Sequence, residues 1–184
     1  MPPPYAPRVD MPAHLTAPGR RVGDAGTADS APEGKSDMAF TEEEAAYLRS
    51  QPLARVATVD AEGQPDVVPL AFEFDGTYFW VGGGGESVLG TRKFRNVRAG
   101  QDKVSLVVDD MVSFDPFIVR SIRVYGRAEQ PFQRVGMVGP GTYIRITPTV
   151  SWSWNMAGEP VGETWYEARR AVHAAPDDGP PANN

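Results

Sequence analysis

The chain has no cysteine and only two histidines, His14 and His173, near opposite ends of its 184 residues. The first absence excludes a disulfide framework, a thiolate nucleophile and a cysteine-held zinc or iron–sulfur centre. The second leaves any Ser-His-Asp relay or histidine metal site to be assembled from near-terminal residues, so an enzyme of this composition takes its chemistry from a cofactor. No stretch approaches the roughly 18 apolar residues of a membrane span, and the amino terminus lacks an apolar signal core. A cytoplasmic protein with no membrane partner is the expectation. The formal net charge of -6 argues against nucleic acid as a partner. One local exception stands out, a basic cluster of Arg92, Lys93, Arg95 and Arg98.

Apolar side chains are unevenly spread. Residues 1–38 hold seven prolines, four glycines and one aromatic, Tyr5, too little apolar surface to offset the entropy of ordering. Residues 174–184 have the same character. Both are expected to be disordered tails around one domain, residues 39–173.

That domain reads as mainly β. Thr41 and Glu44 have capping-box spacing for a first helix, which must stop before Pro52. LARVATVD, DVVPLAFEF and TYFWVGG then alternate with a period of two, and Asp75-Gly76 is a hairpin signal, so 53–83 is expected to be a three-stranded meander. SVLGTRKFRNVRAG loses the alternation and ends in Gly100, which predicts a short helix with a glycine cap. KVSLVVDD, a connection over Met111–Phe117, IVRSIRVYGRAE and TYIRITPT continue the strands, and GETWYEARRAVH (162–173) predicts a closing amphipathic helix. About six consecutive antiparallel strands with a few short flanking helices fit a small barrel better than a βαβ sheet. Asp109, Asp110 and Asp115, without histidine or EF-hand glycine spacing, read as a solvated turn and not a metal site.

The chemistry-bearing feature is the run Gly82-Gly83-Gly84-Gly85, followed by Ser87 and the basic helix. Glycine amides, a helix start and the cations Arg92 and Lys93 together make a phosphate cradle. It is no P-loop, because Thr91-Arg92 stands where Lys-Ser or Lys-Thr is required. The structural alternative is a flexible strand-to-helix connection. Pro69 inside a good strand marks an edge or bulge that leaves main-chain groups free for a planar heterocycle, or simply an edge proline. Trp152, Trp154, Trp165, Tyr143 and Tyr166 could stack on a substrate, bury a dimer seam or pack a core.

The meander, the segment Thr91-Arg92-Lys93-Phe94-Arg95-Asn96 and KVSLVVDD together resemble the flavin-binding split-barrel superfamily that includes pyridoxamine 5'-phosphate oxidases. Within it the chain is most similar to the actinobacterial branch using the deazaflavin coenzyme F-420, and SWSWN resembles a subgroup containing dehydrotetracycline reductases. The resemblance covers about residues 40–155. It implies a six-stranded antiparallel split β-barrel, a homodimer with cofactor at the interface, and reduction of an activated C=C or C=N bond in a cyclic small molecule. It further implies that Thr91, Arg92 and Lys93 bind the cofactor phosphate, that Val68, Pro69 and Leu70 line the ring, that Gly84, Gly85 and Ser87 add amide contacts, and that Trp152 is contributed by a partner chain. FMN is the alternative cofactor, in a pyridoxamine-phosphate-oxidase-like enzyme. A non-catalytic flavin or haem carrier is the alternative of another class. No catalytic residue is assigned; Tyr143, Tyr125 or water are the admissible proton donors.

Overall fold

Thr41 and Glu44 open the ordered chain as their spacing predicts. The Thr41 hydroxyl accepts from the Glu44 amide at 3.2 Å and the Glu44 carboxylate accepts from the Thr41 amide at 2.8 Å, starting helix α1, Glu42–Ser50. Gln51, held extended by the proline after it, ends the helix. The computed structural model describes residues 40–174; the expected tails lie outside the described residues except for Ala174.

Strands β1 (Leu53–Val59), β2 (Pro65–Phe74) and β3 (Phe79–Gly83) form the expected meander. The loop at Asp75-Gly76 is longer than a two-residue turn, because the Asp75 carboxylate accepts from the amides of Thr77 (2.9 Å) and Tyr78 (2.8 Å) and folds four residues around itself. A 3₁₀ turn, Glu86–Gly90, precedes helix α2, Arg92–Arg98. The predicted helix thus starts later than its sequence suggested. Its end is as expected: Gly100 takes φ 90°, its amide bonds to Val97 at 3.0 Å and that of Gln101 to Asn96 at 3.0 Å, a Schellman cap.

Strand β4 (Lys103–Phe114) runs into β5 (Phe117–Ala128) through Asp115-Pro116 alone, so the expected connection over 111–117 is mostly strand. The short β6 (Phe132–Gly136) and the long β7 (Gly139–Trp154) follow. The order β3-β2-β1-β4-β5-β7, with β3 also pairing β7, closes a six-stranded antiparallel barrel. β6 and β8 (Ala168–Val172) pair only with β7, outside that ring. Pro148 is accommodated by a bulge, where Thr149 is skipped in the β5–β7 register and its hydroxyl donates to the Tyr125 carbonyl at 3.0 Å.

The closing helix over 162–173 is therefore corrected to an extended segment and strand β8. The alternation in Arg169-Arg170-Ala171-Val172 buries Ala171 alone of the four, too weak a signal for period to decide, and the free edge of β7 supplies the hydrogen-bond partners that do decide it. Asp109 and Asp110 also correct the turn reading: both lie in β4, where Asp109 pairs with Arg55 and Asp110 with Arg120 at 2.7 Å.

Inside the barrel, Val56, Leu106, Ile122, Val124 and Ile146 meet Phe79, and α2 contributes Phe94 and Val97. Asn96, buried, donates to the Thr58 hydroxyl at 2.9 Å and fixes α2 to β1. At the other side Glu44, 1% exposed, accepts from Arg169 at 2.8 and 3.0 Å and from Ser153. One carboxylate thus caps α1 and ties it to β7 and β8. A buried charge this well paired is tolerated, and removing one partner costs about 3–5 kcal/mol.

His173, at the end of β8, lies 2.8 Å from Ser151 Oγ and 4.4 Å from the Phe40 ring. Burial holds its pKa below the ordinary 6.5, with Glu44 opposing the shift and Arg169 reinforcing it. The unfolded chain then takes the proton more readily, so stability is full above pH 6.5 and declines as pH falls through 6.5 towards the lowered native value. His173→Phe is expected to flatten this decline in denaturant titrations between about pH 7.5 and about pH 5.5. An unchanged pH slope would contradict it.

Candidate functional site

β2 pairs β1 from Val59↔Pro65 to Leu53↔Ala71, but pairs β3 only from Phe72↔Val81 to Phe74↔Phe79. Residues 65–71 therefore have a strand on one side only, which is the edge that Pro69 predicted. β3 parts from β2 after Val81 while it continues along β7 to Gly83↔Thr142. A β-carbon on Gly82 would overlap the Thr142 carbonyl oxygen, and one on Gly141 would overlap that of Gly83. Gly82 is thus explained by strand packing. Gly84 and Gly85 are exposed beyond it, and Gly85 has φ 90°.

The connection through Ser87, also exposed, returns to the start of β2. There Arg92 Nε lies 3.8 Å from Asp66 Oδ1, and Lys93 Nζ lies 3.4 Å from Thr91 Oγ1. The Thr91 hydroxyl donates to the Val88 carbonyl at 2.7 Å and does not cap α2. Lys93 is half-buried; burial lowers its pKa and the nearby Asp66 charge partly restores it. Among the described residues its ammonium has no ion-pair partner. A half-buried cation with no carboxylate in contact favours a bound anion.

The structure thus brings Thr91, Arg92 and Lys93 to one end of the open β2 edge. Val68, Pro69 and Leu70 follow along that edge, and Asp66 to Leu70 spans about 13 Å. Trp152 is elsewhere. Its register partners are Arg123 on β5 and Arg170 on β8, on a part of the sheet separate from the β2 edge. Tyr143 drops out as a proton donor, being 3% exposed with its hydroxyl donating to the Gly139 carbonyl at 2.8 Å. Tyr125 is 45% exposed.

Sequence reasoning missed three features. Asp66 gave no signal until α2 was seen beside it. Arg123 has a buried Nε with no acceptor, and its guanidinium lies 4.1 Å from the Trp152 ring centre and 5.4 Å from that of Tyr125. A cavity of about 460 Å³ lies outside β1, β4, β5 and β7, between Ala57, Lys103, Ser105, Tyr125 and Thr149. Pro65, at the start of the open edge, reaches it, but Val68–Leu70, Gly84, Gly85, Ser87 and Thr91–Lys93 do not line it. The candidate cradle is an open edge, not this cavity.

The closed six-stranded antiparallel barrel with two helices defines the fold class. The chain matches the pyridoxamine 5'-phosphate oxidase family model over residues 40–134, and it belongs to that family. It is 44% identical over 92 residues to a 5a,11a-dehydrotetracycline/5a,11a-dehydrooxytetracycline reductase of Streptomyces rimosus. That match covers 50% of this chain and 64% of the reductase. Among solved structures, a conserved hypothetical protein from Mycobacterium tuberculosis superposes with TM-score 0.51 at 19% identity, covering 71% of this chain and 96% of that one, which shows the shared fold. An F420 reductase is similar over 58% of this chain and 93% of its own, at 20% identity and TM-score 0.42, a likeness too loose to bear on function.

The charge state of Lys93 is expected to govern anion binding beside Thr91 and Arg92. Affinity for pyrophosphate, measured by titration calorimetry, is expected to fall as pH rises through the lowered Lys93 pKa, because the neutral amine no longer attracts the anion. Lys93→Arg keeps its charge and is expected to abolish that fall. An identical pH profile in the two proteins would remove Lys93 from the site.

Proposed function

We propose that the protein is a coenzyme F-420-dependent reductase acting on an activated C=C or C=N bond of a cyclic small molecule, in the manner of a late reduction in tetracycline-type antibiotic biosynthesis. The observation that carries this reading is the half-buried Lys93, which has no ion-pair partner among the described residues, beside Thr91 and Arg92 at the end of a strand edge open to a planar ring. Membership of the pyridoxamine 5'-phosphate oxidase family and the similarity to a dehydrotetracycline reductase support it.

The residues present fit a phosphate-bearing flavin or deazaflavin. Arg92 and Lys93 supply charge-assisted donors worth about 1.5–3 kcal/mol each. The half-buried Val68 and Leu70 and the exposed Pro69 offer main-chain groups and apolar surface to a ring, and Gly84, Gly85 and Ser87 offer amides that no side chain screens. When bound, the deazaflavin supplies hydride, so the protein needs no histidine or cysteine of its own. The chain's task is to hold the ring at a fixed distance from the electrophilic carbon.

A second copy would complete the site. Exposed Tyr125 and Val172 (45% and 44%) flank the Trp152 face, where Arg123 Nε is buried without an acceptor. A homodimer covering that face is part of the reading, with Trp152 shaping the partner's substrate pocket. FMN is the competing cofactor that the resemblance to pyridoxamine 5'-phosphate oxidases implies.

Fluorescence titration against oxidised coenzyme F-420 and FMN in parallel tests the reading. Micromolar or tighter deazaflavin binding with weaker FMN binding is expected, and Lys93→Ala should weaken it by about 10–100-fold with unchanged thermal stability. FMN preference would move the protein to the oxidase branch. Binding of neither would leave a carrier of another ligand.

A further inference from the structure

The tip of the β6–β7 hairpin extends beyond the β3–β7 register, and it is apolar. Val135 is 73% exposed, and Met137 and Val138 are 54% each. Such a tip is an association liability unless it has a use.

The hairpin beneath the tip is held on several sides. Arg134 pairs with Glu73 at 2.9 Å and lies 4.1 Å from the Trp80 ring centre. The Met137 amide donates to Glu73 at 3.1 Å. Tyr143 lies across Gly136, where a β-carbon would meet its ring, and its hydroxyl holds Gly139. The backbone that carries the three apolar side chains is therefore held in place.

The tip also borders the cleft. Val138 Cγ2 would be 3.4 Å from a β-carbon on Gly83, and the Pro140 carbonyl 3.2 Å from one on Gly84. Continuing the β2–β3 register past Phe72↔Val81 brings Gly83 and Gly84 level with Leu70 and Pro69 across the split. The cations lie at the opposite end, beside Asp66. The apolar tip therefore flanks the ring end of the cleft and not its phosphate end.

We propose that Val135, Met137 and Val138 form a lip that receives the uncharged face of a fused-ring substrate extending beyond the reacting bond. This rests on the cofactor reading above. The three side chains offer no hydrogen bonds, so they select by apolar area alone, and a one-ring substrate ends short of them.

The test uses the full chain and the double variant Met137→Ser/Val138→Ser. Affinities of the cofactor-loaded protein for 5a,11a-dehydrotetracycline and for cyclohex-2-enone are measured by tryptophan quenching, with KM for each as a second readout. The variant should weaken four-ring binding by about tenfold, leaving the one-ring probe, coenzyme F-420 affinity and thermal stability unchanged. Equal effects on both probes, no effect on either, or a wild type that does not prefer the four-ring probe would overturn the lip. So would a shift from dimer to monomer in sedimentation, which would assign the tip to a second copy. A wild type that binds no coenzyme F-420 overturns the cofactor reading and the lip with it. Normal coenzyme binding with undiminished four-ring affinity in the variant overturns the lip alone.

Discussion

The backbone contact between β3 and β7 sets the rest of the architecture. Gly82 and Gly141 let the two strands approach where any β-carbon would collide with a carbonyl. That approach closes the barrel through β3–β7. Phe79–Val81 pair with both neighbours, and from Gly82 on β3 follows β7 alone, which leaves the β2 edge open. The chain leaving β3 must return to the start of β2, and it does so through the turn and helix that carry Thr91, Arg92 and Lys93.

The electrostatics of that return are sparing. Asp66 sits near Arg92 and offsets part of the burial effect on Lys93, yet at 3.8 Å its contact with Arg92 is loose. An anion with several oxygens can therefore draw both cations without first breaking a tight bidentate pair. Elsewhere the arginines are committed more firmly, Arg120 to Asp110, Arg127 to Asp102 and Arg134 to Glu73. The contrast separates structural cations from those available to a ligand. Arg123 differs again, stacked among aromatics on the face proposed to meet a second copy.

Local signals with their own chemistry were legible in the sequence. Thr41 and Glu44 announce a helix start, Gly100 its counterpart at the end of α2, and Pro69 an edge, because each is tied to a particular backbone need. Long alternation gave the six barrel strands. What escaped was decided by partners distant in sequence. β8 pairs with β7 and buries little, so residues 162–173 looked helical. β6 is five residues long and exists through its register with β7. The role of Asp66 appears only once α2 is folded against β1. One glycine of the run also changes meaning, since Gly82 serves strand packing while Gly84 and Gly85 remain exposed.

The central claim is that the β2 edge and the turn after β3 hold a phosphate-anchored planar cofactor. Amide chemical-shift mapping of the isotope-labelled protein on addition of oxidised coenzyme F-420 tests it most directly. The largest changes should fall on Val68, Leu70, Gly84, Gly85, Ser87 and the Thr91–Lys93 turn. Changes concentrated instead around Ala57, Ser105, Tyr125 and Thr149, in the cavity outside the barrel, would contradict it.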